Sequence, residues 1–221
     1  MKTLFAFIMI CLLLPCAGYG LSDREAFELL MNTSIQAKPP IHVYVAPDYN
    51  KDNRPDYGAV QGTSLPVSSY QFFGTAYEEL KTFDQPGEIY AVSHFSLGSR
   101  WLCFLLRVPG MYAPEAIDIW VFDTEKNKWL KPLRIAEWWG DAGYEIDTQA
   151  WIRDVNKDGL YDIVRRTIET DTDLEDPKSP QTKKRHDDVL LWDKGRWRKA
   201  SPESLTKIGG SKYKFYDRYK K

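Results

Sequence analysis

Short apolar runs, broken by tight-turn residues and never by a long helical period, recur along residues 88–200 of this chain. EIYAVSHF (88–95) and RWLCFLLRV (100–108) flank Ser96-Leu97-Gly98-Ser99. IDIWVFD (117–123) and KWLKPLRI (128–135) flank Thr124 to Asn127, and DDVLLWD (187–193) and RWRKA (196–200) flank Lys194-Gly195. IHVYVA (41–46) alternates like a strand. YEIDTQAWIRD (144–154) and YDIVRRTIE (161–169) lie on either side of an acidic loop. Runs of this length, rich in β-branched and aromatic residues and bounded by Gly, Asn, Asp and Ser, read as strands. Neighbouring strands joined by tight turns pair antiparallel, whereas a parallel sheet needs helical crossovers. The expected fold is mainly β, with antiparallel sheets built from hairpins and short helices near the N- and C-termini. The 14 % aromatic content and eight tryptophans suit half-buried pleated surfaces.

The remaining segments carry weaker signals. Ser22-Asp23-Arg24-Glu25 has the spacing of a capping box and predicts a helix over 23–32. Thr33 to Pro40 reads as a linker, and 47–69 as a long loop. Residues 70–83 read as a strand followed by one or two helical turns, with a second capping-box pattern at Thr75 to Glu78. Residues 170–184 are almost free of apolar side chains and read as a mobile, exposed loop. Ser201-Pro202 suits the start of a short helix. The tail, 209–221, is basic and aromatic, and reads as frayed or as an edge strand.

The first twenty residues, MKTLFAFIMICLLLPCAGYG, join one Lys to an apolar run of about 11 residues and then to small residues. That is the pattern of a signal peptide, with cleavage after Gly20 or Gly18 and a single domain over 21–221. A bilayer span needs about 20 apolar residues, so an uncleaved anchor is the lesser reading. Lipidation at Cys16 is also weaker, because Pro15 stands where a small residue belongs. Cys103 is then alone. It cannot form an internal disulfide, and it reads as a small buried hydrophobe rather than a nucleophile.

Without Lys2 the chain has 29 basic and 31 acidic residues, a balance that argues against general nucleic-acid binding. The charges are segregated: residues 146–176 are net −5 and residues 183–221 are net +8. Membrane association is expected only through a lipidated Cys16 or through the basic tail docking on an anionic surface.

The acidic segment holds the strongest motif, DVNKDGLYDI (154–163). Asp154, Asn156 and Asp158 recur at every second residue, Gly159 allows a sharp turn, and Asp162 follows. A hard cation such as Ca²⁺ takes six to eight oxygens, and a tight loop whose alternate side chains point inward supplies them. A helical EF-hand is excluded, because its last ligand should be Glu and Arg165 stands there. WIRDVNKDGLYDIV (151–164) resembles the Asp-x-Asn-x-Asp-Gly-x-x-Asp loop of FG-GAP and VCBS-type repeats. The resemblance implies a turn between antiparallel strands that binds a structural Ca²⁺. Its implied ligands are Asp154, Asn156, Asp158, the carbonyl of Leu160, and Asp162. It covers 14 residues and one copy, so a complete propeller is not implied. DYNKDNRPD places Asp48, Asn50, Asp52 and Asp56 at the same spacing. There Asn53 replaces the glycine and Pro55 follows, so a polar surface turn is the stronger reading.

No nucleophile elbow, zinc-binding His pair or phosphate-cradling glycine loop appears. His42, His94 and His186 are scattered. Of the tryptophans, Trp138-Trp139 stand out, since strand neighbours face opposite ways and one of the pair should be exposed unless both faces are covered. The expected function is an exported, periplasmic or secreted bacterial protein, stabilised by Ca²⁺ and non-catalytic, that binds a protein or polysaccharide. The alternatives are a hydrolase assembled from separate loops and a carbohydrate-binding module that uses an exposed Trp.

Overall fold

The computed structural model describes residues 21–45, 62–73, 89–108, 116–176, 180–200 and 213–214. The signal-peptide pattern, Asp48 to Asp56, the Thr75 capping box, the predicted C-terminal helix and most of the basic tail lie outside these residues.

Helix α1 spans Asp23–Thr33. Its capping box forms: Ser22 accepts from the Glu25 N–H, and the Ser22 N–H donates to Glu25 at 2.8 Å. The first helical turn therefore satisfies its own end groups. Among the described residues twelve strands follow: β1 Ile35–Gln36, β2 Ile41–Val43, β3 Thr63–Ser64, β4 Tyr90–Leu97, β5 Trp101–Val108, β6 Ala116–Asp123, β7 Lys128–Trp129, β8 Leu133–Asp141, β9 Tyr144–Arg153, β10 Asp162–Asp171, β11 Thr182–Asp193 and β12 Arg196–Lys199. A 3-10 turn, Val67–Ser69, runs into the short helix α2, Tyr70–Phe73.

All twelve strands belong to one sheet, ordered β1-β4-β5-β6-β8-β9-β10-β11-β12, with β3 on β4, β7 on β6 and β2 on β9. The sheet curls back on itself. Trp101 of β5 and Trp192 of β11 are separated by four strands in that order, yet their rings lie 5.3 Å apart. The inner face buries Phe95, Cys103, Ile119, Ile135, Ile152 and Ile163 in one core. Outside β4–β6, α1 and α2 place Ala26, Leu30 and Phe73 against Phe104, Leu106 and Phe122. Strand β6 is consequently buried at every residue, which is why AIDIWVFD reads as a nearly continuous apolar run. A smaller cluster outside β9–β11 joins Trp151, Val164 and Val189 to Ala200 and Tyr213. No helix among the described residues is long and apolar enough to cross a membrane.

The mainly β expectation holds, with four departures. The sheet is mixed, because β1 pairs parallel with β4. Turn signals constrain only sequential strands, and these two are not sequential. Residues 70–73 are helical rather than extended, since they continue the 3-10 turn Val67–Ser69, whose N-cap is Pro66. Thr63-Ser64, read as loop, forms β3 against β4. Finally, 170–184 is not wholly a loop. Strand β10 continues to Asp171 and β11 begins at Thr182, so the connection narrows to 172–181. Glu169 pairs across the ladder with Lys184, and residues 182–187 are exposed. A strand exposed on both faces needs no apolar residues, and opposite charges across a ladder favour pairing.

Candidate cation loop at the β9–β10 turn

Arg153 and Asp162 form the last pair of the β9–β10 ladder, which leaves 154–161 as the loop. Lys157 (φ 64°) and Gly159 (φ 84°) take left-handed backbone and curl it tightly. A side chain at Gly159 would meet open space, so the glycine answers to backbone angle and not to crowding.

Asp154 accepts N–H groups from Asp158 at 3.2 Å and Gly159 at 3.0 Å, one on each carboxylate oxygen. Asn156 Oδ1 accepts from the Asp158 N–H at 3.1 Å, and Asp158 Oδ1 accepts from the Leu160 N–H at 2.8 Å. The Asn156 amide nitrogen donates to Asp158 Oδ2 at 2.8 Å. These three side chains thus converge inside the loop. Leu160 turns its side chain into the inner core, near the Gly98 turn, and Tyr161 packs edge-on to Phe95 at 6.0 Å.

Asp162 plays a different part. It is fully buried, and its two oxygens accept N–H groups from Val155 and Trp192, each at 3.0 Å. The carboxylate therefore ties the loop to β11. Burial raises its pKa, and the charge of Asp158 adds to that effect. The N–H bonds from Trp192, Val155 and Asn156 oppose it without reversing it.

In chemistry these donors fit a hard cation. They are all oxygens, and a carboxylate has about four acceptor sites, more than the bonds above use. Among the described residues, however, no three His, Cys, Asp or Glu side chains are grouped to hold a metal by themselves. The loop closes on its own N–H groups. Coordination needs Asn156 as a ligand, and needs its amide to turn from Asp158, where the nitrogen now stands in place of a positive charge.

A second polar row lies on the outer face of β9–β11, buried at Asp147, Gln149 and Arg166. His42 stacks on Trp151, with ring centres 4.6 Å apart, and Nε2 lies 3.0 Å from Gln149 Oε1. Gln149 in turn donates to Asp147 at 3.2 Å. Arg166 makes a two-pronged pair with Asp187 and donates to the Tyr213 carbonyl at 2.8 Å. Burial opposes ionisation of Asp187, but the Arg185 and Arg166 guanidiniums outweigh it and hold the carboxyl at about 2. The signal available in the sequence was the polar stripe Glu145, Asp147, Gln149 at strand period.

The other candidate groups serve the fold. His94 is buried, its Nδ1 2.8 Å from Ser34 Oγ at the end of α1. His186 lies 3.4 Å from Glu169 on the exposed stretch of β11. Cys103 is fully buried, which pushes its thiol pKa far up and removes the thiolate a nucleophile needs. Trp138 and Trp139 are both half-buried, so both faces of β8 are partly covered there. Trp138 donates to Glu145 at 2.8 Å, and Trp139 packs on Tyr144 with ring centres 5.7 Å apart.

Among the described residues, fold and loop together define a mainly β protein whose curled sheet carries an oxygen-rich hairpin turn at 154–161. Compared with protein-family models, curated proteins and solved structures, the chain finds no match.

Proposed function

We propose that this chain is an exported, Ca²⁺-stabilised, non-catalytic binding protein of the bacterial envelope or secreted space. One observation carries the metal part: Asp154, Asn156 and Asp158 turn their oxygens into the same loop, around backbone curled at Lys157 and Gly159. Their spacing resembles that of FG-GAP and VCBS-type Ca²⁺ loops. Export is inferred from the pattern of residues 1–20. The non-catalytic reading is supported by the duties already given to the candidate nucleophile and bases. Cys103 is core, His94 anchors α1, and His42 is stacked and bonded within the polar row.

In this reading the cation has a structural role. It draws Asp154 and Asp158 together, offsets their repulsion, and stiffens the turn that Asp162 pins to β11. A ligand that binds only the folded state raises stability by RT ln(1 + [L]/Kd), about 2.7 kcal/mol at a hundredfold excess over Kd. Calorimetric titration of Ca²⁺ into chelator-stripped protein, paired with melting curves, tests this. Saturable binding and a raised Tm are expected in the wild type, and both are lost in Asp158→Ala. Equal melting of wild type and variant, with and without chelator, sinks the metal assignment.

A further inference from the structure

We infer that the first half of β11 is a pairing edge for a second copy of this chain. Two copies join antiparallel along residues 184–188 and form one continuous sheet across a two-fold axis. The inference goes beyond the function proposed above and uses none of the loop residues at 154–161.

Strand β11 runs over Thr182–Asp193, but β12 pairs with it only from Leu190 to Asp193. The Ala200 N–H adds one bond to the Val189 carbonyl, at 2.7 Å. That bond shows which way the backbone faces. Val189 turns its N–H and C=O toward β12. Backbone groups alternate sides along a strand, so Asp187 and Arg185 turn theirs the same way. Among the described residues no strand covers that side, and residues 182–187 are exposed. On its other side β11 is paired with β10 as far as Thr182, which holds the bare edge extended.

Such an edge is a template for another strand, and proteins commonly guard it with lysines that repel a partner. The order here does not do that. Lys184-Arg185-His186-Asp187-Asp188 is antisymmetric in charge about His186. Laid antiparallel on a copy of itself, with His186 facing His186, it sets Arg185 opposite Asp187 and Lys184 opposite Asp188. The two-fold axis repeats both pairs. Opposite charges facing across a ladder favour pairing, and like charges oppose it. Arg185 and Asp187 are also the residues with outward backbone groups, so each such pair exchanges both N–H···O bonds. A slide of two residues sets Arg185 against Arg185 or Asp187 against Asp187. A slide of one sets outward groups against inward ones.

The charges keep capacity for a second partner. Asp188 accepts from Arg165 at 2.9 Å and Lys199 at 2.5 Å, and a carboxylate has about four acceptor sites. Arg185 engages Asp187 of its own strand through Nε and Nη2, which leaves Nη1 for the neighbour. Arg166 also holds Asp187, so arginines and carboxylates alternate across the axis. Past Asp188 the edge belongs to Ala200, and the ladder stops there. Sheet twist turns the facing ends of β12 and the added strand to opposite faces, so they pass.

Sedimentation equilibrium from about 1 µM to about 1 mM spans the Kd of an interface under about 1,200 Å². A monomer–dimer equilibrium is expected. Lys184→Asp, at an exposed position, sets Asp against Asp188 and weakens dimerisation about tenfold or more. Asp188→Lys sets Lys against Lys184, with the same effect. An equimolar mixture of the two variants restores dimers, because each supplies the charge the other lost. Should Asp188→Lys fail to fold, cross-linking decides. Residues facing each other without hydrogen bonds stand about 4.5 Å apart at Cα, close enough for a disulfide. In a Cys11→Ser, Cys16→Ser background, mild oxidation of His186→Cys gives a covalent dimer. Thr182→Cys, equally exposed but outside the ladder, gives little. Cys103 is fully buried and takes no part. The proposal is overturned by a wild type that stays monomeric, whether or not it takes polyglutamate on this strand. Dimers indifferent to Lys184→Asp, a mixture of folded variants that stays monomeric, or equal cross-linking at 182 and 186 also overturn it.

Discussion

Asp162 and Asp158 belong to one motif, yet the protein uses them differently. Asp162 is buried and holds the backbone of β11 through the Trp192 N–H. Asp158 is at the exposed tip and is held by local bonds. Their substitutions should therefore separate. Asp162→Ala leaves the N–H groups of Trp192 and Val155 without their acceptor, at about 1–3 kcal/mol for each that stays buried. In urea titrations the loss should be nearly the same with Ca²⁺ or chelator. The loss in Asp158→Ala should appear only when Ca²⁺ is present. Equal Ca²⁺ sensitivity of the two deficits contradicts this division. The spacing of the four polar residues was legible in the sequence. Their division of labour was not, because the partner of Asp162 lies 30 residues away in the chain.

Helix α1 shows what a single element contributes. Its capping box fixes where it starts, and Ala26 and Leu30 face the outer side of the sheet. Leu30 is fully buried among residues from β4 to β6. Leu30→Ala should cost about 2–5 kcal/mol, the range for a large core side chain truncated to a cavity. The urea midpoint should fall with little change in slope if the helix stays docked. A loss under about 1 kcal/mol shows that α1 is not part of the cooperative core. The start of α1 was readable because a capping box is local. The short helix at Tyr70–Phe73 is not legible in the sequence, since four aromatic-rich residues carry no period long enough to separate helix from strand. In EWWGDAG the paired tryptophans dominate the local pattern, although Ala142-Gly143 makes the β8–β9 turn.

At the scale of the whole molecule, pH reports on the docking of its layers. His94 fastens β4 to the end of α1, and His42 lies over the β9 face. Burial lowers both imidazole pKa values, and the hydrogen bonds made to Ser34 and Gln149 only partly offset it. The unfolded chain then binds more protons than the folded one in the range where free imidazole titrates, near 6.5. Stability from these two residues is complete above about pH 6.5 and is lost as pH falls below it. Thermal melts from pH 7.5 to 5 should show a declining Tm, and His94→Gln should flatten the decline. A Tm that rises on acidification, or a slope unchanged in the variant, contradicts the assignment. What the sequence by itself determined was local: β class, the hairpins at Gly98, Asn127 and Gly195, the start of α1 and the oxygen spacing of the loop. These depend on residues within a few positions of one another. Tertiary structure alone decided that the strands join one sheet, and that it curls until Trp101 meets Trp192. It also paired β1 parallel with β4 and buried Gln149 and Asp147 beside the half-buried His42. Such choices depend on contacts across tens to more than a hundred residues, where many pairings satisfy the same local pattern and only burial of the common core selects one.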